Sequence, residues 1–141
     1  MRTNDPIGGD GIICDVPTDE TWPTEHVMAP RLPPGQTGDC KAIILEKIEQ
    51  KRSKGGATYA AGKTLVVFLE ASAGVWFPNR VARQLPEPLY FSAAWVVGLQ
   101  GVEEGEYVYN VTCLDISEGN APALRVRIGK NFDTWTVDRI Q

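Results

Sequence analysis

The chain reads as a single α+β (or α/β) domain. Three features of its 141 residues point there: one amphipathic stretch at helical spacing, an all-apolar run of strand character soon after it, and a succession of strand-like segments in the C-terminal third. With 43% hydrophobic residues, a chain of this length can bury one core and is too short for two ordinary domains. The expected organisation is therefore one domain over 1–141, with a strand- and loop-rich part over 1–38, a helix–strand–helix–strand core over 39–99 and strands over 100–141.

Six of the ten prolines fall between Pro6 and Pro34, among several glycines, so the first part should be extended strand and loop. Gly11–Val16 (GIICDV) and Thr24–Ala29 (TEHVMA) read as strands, and the polar DVPTDETWP between them makes an antiparallel hairpin the simplest link. Asp39 stands where a helix N-cap belongs. Cys40, Ile43, Ile44, Leu45 and Ile48 then recur at helical spacing, with Glu46, Lys47, Glu49, Gln50, Lys51 and Arg52 on the opposite face. Gly55 and Gly56 should end this main helix, giving it residues 39–54, with Lys51, Arg52 and Lys54 suited to the negative end of its dipole.

Leu65–Leu69 is wholly apolar, which implies a central strand covered on both faces. Asn79–Leu85 reads as a short second helix (79–85) closed by Pro86 and Pro88. Strands are expected at Phe91–Leu99, Tyr107–Asp115, Leu124–Ile128 and Thr134–Ile140. The whole makes a mixed sheet of five to seven strands packed against the main helix.

Several functions are excluded or disfavoured. A net charge of −4, from 14 basic and 18 acidic residues, creates no global field that demands nucleic acid or an anionic membrane. No apolar run approaches the roughly 20 residues of a membrane span, and the N-terminus lacks a secretory signal, so a cytoplasmic protein is expected. Cys14, Cys40 and Cys113 are odd in number and widely spaced, which suits reduced thiols better than disulfides or a zinc site. The segment Gly56–Thr64 has one residue too many for a phosphate-binding P-loop and runs from helix to strand, the wrong order. His26 is the single histidine, which rules out a multi-histidine metal site, and no serine lies in a nucleophile-elbow context.

The remaining candidates are acidic, basic and aromatic. Carboxylates on adjacent strands can hold a hard cation beside a phosphodiester, and Asp10, Asp15 and Glu25 are placed for this by the hairpin. Lys47, Lys51, Arg52 and Lys54, with Lys63, Arg80 and Arg83 beyond, form the one local excess of positive charge and could track a phosphate backbone. Trp76, in GVWFPNR beside Arg80, is the best candidate for a stacking aromatic, whereas Trp95 belongs to an apolar strand and is expected in the core.

An acidic hairpin, a lysine-rich helix and an apolar strand, in the run ILEKIEQKRSKGGATYAAGKTLVVFLE, resemble the restriction-endonuclease-like PD-(D/E)XK superfamily over about residues 9–99. The resemblance implies a nuclease-like fold in which Asp10 or Asp15 is the first metal-binding acid and Glu25 the second, with Mg or Mn as cofactor. Val27 occupies the position of the family's lysine, so the same resemblance implies a lysine supplied from the helix, Lys47 or Lys51. Two functional classes follow. One is a non-catalytic binding or assembly module, a homo-oligomer through exposed strands. The other is a metal-dependent nuclease or nucleic-acid-associated protein with Asp15, Glu25 and Lys47 at its site and Lys51, Arg52, Lys54, Trp76 and Arg80 on the ligand.

Overall fold

The computed structural model describes residues 11–15, 19–30, 40–70 and 76–141. The elements run β1 (Gly11–Asp15), β2 (Glu20–Ala29), α1 (Cys40–Ala60), β3 (Thr64–Leu69), α2 (Pro78–Arg83), β4 (Ala93–Glu103), β5 (Glu106–Cys113), β6 (Ala123–Ile128) and β7 (Trp135–Arg139). They build one mixed seven-stranded sheet whose spatial order follows the chain, β1-β2-β3-β4-β5-β6-β7. The β2–β3 and β3–β4 pairs are parallel and all others antiparallel. The α+β domain with one main helix is thus as the sequence pattern implies.

Boundaries moved for identifiable reasons. The second strand starts at Glu20 and runs through Pro23, which pairs with Ile12 on β1. The β3 ladder begins only opposite Thr24, so no β3 residue stands opposite the proline, which is paired on the β1 side alone. The main helix does not finish at the paired glycines: it continues to Ala60, although Gly56 (φ 61°, ψ −147°) breaks its regularity. A residue with a Cβ pays for that positive φ, so Gly56 lets the chain kink and take a further turn before β3. Asp39, the expected N-cap, lies outside the described residues.

The core sits on one side of the sheet. α1 lies against β2 and β3 and touches α2. Ile44 and Ile48 of α1, Leu65 and Val67 of β3, and Ala29 and Val81 are fully buried, with Ala94, Val96, Phe91 and Leu114 completing the cluster. The expectation that β3 is covered on both faces holds in part: Leu65, Val66 and Val67 are buried and Phe68 is half-buried. Both helices, however, lie on the side of Leu65 and Val67, and among the described residues no second layer of helix or sheet lies on the side of Val66 and Phe68. Trp95, paired with Val66, stands on that second side and lies outside the core cluster, which corrects its expected place.

A bulge between Leu99 and Gly101 inserts one residue into β4, so that Leu99 opposes Tyr109 and Val102 opposes Tyr107. Both therefore lie on the second side despite their odd spacing. No helix among the described residues is long and apolar enough to cross a membrane.

Ile48 is 0% exposed at the centre of the face on which the helices lie. Ile48→Ala should therefore cost about 3 kcal/mol by transfer and cavity terms, measured by urea denaturation with an unchanged m-value.

Candidate functional site

Strand periodicity puts Glu25, Val27 and Ala29 on the α1 side of β2, in register with Leu65, Val67 and Leu69. A carboxylate thus occupies a core row, and it is 1% exposed. The charge is met from two directions. Lys51 Nζ donates to Glu25 Oε2 at 3.4 Å, and Lys63 Nζ donates to Glu25 Oε1 at 3.4 Å. Lys51 continues the stripe of Ile44 and Ile48 by one further turn, so it aims at the sheet and not at solvent. Lys63 lies two residues before Leu65 and so shares its face. Its side chain is 10% exposed and its ammonium sits 4.4 Å from the Tyr59 ring centroid, a ring also approached by Lys54 at 5.3 Å. Both ion pairs are longer than the 2.7–2.9 Å typical of charge-assisted hydrogen bonds.

The acids expected to share a cation are not brought together. Asp15 pairs with Glu20, five residues down β2 from Glu25. That is about 17 Å along the strand. Ligand oxygens must lie roughly 2.0–2.6 Å from an ion, so Asp15 and Glu25 cannot hold one jointly. Asp10 lies outside the described residues, among which no group of three or more His, Cys, Asp or Glu is placed to hold a metal. The residues described therefore do not fit a Mg or Mn site.

Lys47 does not reach Glu25 either. It donates to Gln50 Oε1 at 3.5 Å on the outer face of α1. The lysine that reaches in is Lys51, the second of the two the family resemblance offers. Lys63, expected only as part of the basic patch, is the second partner of Glu25, and its place immediately before an apolar strand was the signal that could have found this role.

The basic patch is dispersed into local contacts. Arg52 donates to Pro88 O at 2.6 Å and to Glu49, and lies 4.8 Å over the Tyr90 ring; Arg80 lies 4.6 Å over Phe77. Trp76 is half-buried and packs against the core cluster, so it is not the open stacking surface expected of it.

The second face of the sheet is the other notable surface. Three of its cross-strand rows are Met28–Phe68–Val97–Val111–Leu124–Arg139, Leu99–Tyr109–Val126–Val137 and Val102–Tyr107–Ile128–Trp135. Met28, Val102, Trp135 and Val137 are between 51% and 69% exposed. Phe132 from the β6–β7 turn folds back to stack on Tyr107, with centroids 5.4 Å apart. At another corner His26 bonds Thr24 Oγ1 at 3.0 Å and meets Phe68 edge-on. Cys113, paired with Trp95, also lies here, and burial and then Asp115 push its thiol above the ordinary range.

Comparison of the chain with protein-family models, with curated proteins and with solved structures gives no match.

Glu25→Gln removes the buried carboxylate that Lys51 and Lys63 both contact and should destabilise the fold by about 3 kcal/mol. Lys51→Met or Lys63→Met should cost less, since the carboxylate keeps its other partner. Equal stability of Glu25→Gln and wild type in urea would show that the cluster holds nothing together.

Proposed function

We propose that this protein is a non-catalytic binding or assembly module whose working surface is the apolar second face of its sheet. The observation that carries this reading is the set of cross-strand rows running from β2 to β7 with no covering layer among the described residues. Monomeric soluble proteins seldom leave more than a few hundred Å² of contiguous apolar surface open, and larger patches mark binding surfaces. The ionic cluster supports the non-catalytic side of the reading. Glu25 is occupied by two lysines, and among the described residues no group of three or more His, Cys, Asp or Glu is placed to hold a metal.

The test asks whether the face is open to a partner. The purified protein should self-associate or, as a monomer, enhance the fluorescence of the apolar dye ANS, with the enhancement lost in Val126→Lys. A monomer that binds no dye would remove the reading, because residues of the same chain would then be covering the face.

A second reading, a metal-dependent nuclease or nucleic-acid-associated protein with a degenerate PD-(D/E)XK site, is favoured by one observation: Lys51 of α1 reaches Glu25, as a lysine supplied from the helix would. Calorimetric titration with Mg or Mn separates the two. Saturable binding lost in Glu25→Gln would favour the second reading, and absence of heat in both proteins would favour the first.

A further inference from the structure

We infer that the partner of the apolar face is a second copy of this chain, the two sheets stacking face to face about a two-fold axis. The inference rests on the assembly reading above and names its partner. Charge is the first argument. Across the three rows the only charged residue is Arg139 at one end, and its Nε donates to the C-terminal Gln141 O at 2.9 Å. His26 stands at a far corner. A surface without charges offers nothing for electrostatic recognition, so its complement is an equally uncharged apolar sheet, and this face on another copy is one.

Area is the second argument. The first row is apolar on five strands, β2 to β6, and the other two on four, β4 to β7. At about 4.8 Å between strands and about 6.8 Å between rows, these positions cover roughly 420 Å². Two such patches pressed together remove roughly 850 Å² of flat area, which with the relief of the side chains approaches the size at which specific interfaces begin. Aligned sheets pack about 10 Å apart with side chains interdigitating, and partly exposed valines, leucines and tyrosines are suited to that spacing.

Closure is the third argument. An isologous two-fold contact buries both faces at once, whereas a head-to-tail contact would leave one face open and propagate. The exposed Trp135 on the edge strand β7, 69% accessible, then stands at the rim as an aromatic anchor.

Light scattering behind size exclusion at micromolar concentration tests this. The wild type should elute with twice the 15.5 kDa chain mass. Val111→Lys and Val111→Glu should each be monomeric, and mixing them should restore the dimer. Val137→Lys, at a position 52% exposed and so tolerant in the monomer, should also disperse it, and Trp135→Ala should weaken association at least tenfold. Circular dichroism confirms that each variant is folded. A wild-type monomer that binds ANS would overturn the second copy while leaving a module for some other partner. A monomer that binds none would overturn both. A dimer that survives Val137→Lys would place the contact elsewhere and overturn the inference.

Discussion

One helix cannot cover a sheet this wide, and most of what is distinctive here follows from that mismatch. Seven strands at about 4.8 Å spacing span roughly 29 Å, while a helix with its side chains is about 10–12 Å across. α1 accordingly lies against β2 and β3, and the dry core is confined to that neighbourhood with β4 and α2 at its margin. Farther along the same face the residues turn polar: Asn110, Arg125 and Asp138 align across β5, β6 and β7, and Arg127 pairs with Glu103 at 2.9 Å. Where helix cover runs out on the first face, the sequence has gone polar to match. On the second face, which has no cover among the described residues, the sequence has stayed apolar.

The ionic cluster ties together the unit that this single helix organises. Glu25 comes from β2, Lys51 from α1 and Lys63 from the turn into β3, so one carboxylate joins all three parts of the strand–helix–strand crossover. An apolar residue at position 25 would also fill the space. A charge does something an apolar residue does not, since it tolerates only the register in which both ammonium groups reach it. A one-residue slip of β2 against β3 would bring His26 to the core row and carry the carboxylate away from its lysines. Buried polar groups acting as register devices are best known in coiled coils, and the same logic operates on a parallel strand pair.

Much of the fold was legible because it rests on local pattern. The apolar spacing of Ile44 and Ile48, the continuous run at Leu65–Leu69 and the proline-bounded strands all correspond to elements of the structure. The errors have specific causes. Gly55 and Gly56 looked like a stop, yet Gly56 supplied a kink and the chain resumed a turn toward Ala60. The helical pattern put Lys51 on the polar face by its charge, although its position seven residues after Ile44 places it on the buried stripe. Glu25 stood out as an acid, but residue type alone could not say whether a cation or two lysines would answer it, because those partners are set by a parallel pairing between segments some forty residues apart. The apolar second face was also hidden in the sequence. An all-apolar β3 implies two covered faces whether the second layer comes from the same chain or from another.

The ionic cluster and the apolar face lie on opposite sides of the sheet, and this separates their roles. Glu25 and its lysines stabilise the crossover within one chain, so their contribution is a property of the folded subunit and independent of concentration. The rows around Val111 contribute only when something covers them, so their contribution grows with the concentration of whatever does so, by mass action. Substitutions on the two sides share no side-chain contacts and should be close to additive when measured at one protein concentration. The division also explains how a buried ionic cluster and an apolar face coexist in one small sheet. The register that internalises Glu25 on one face of β2 and β3 necessarily turns Met28 and Phe68 to the other, so the pairing that builds the core also builds the apolar second face.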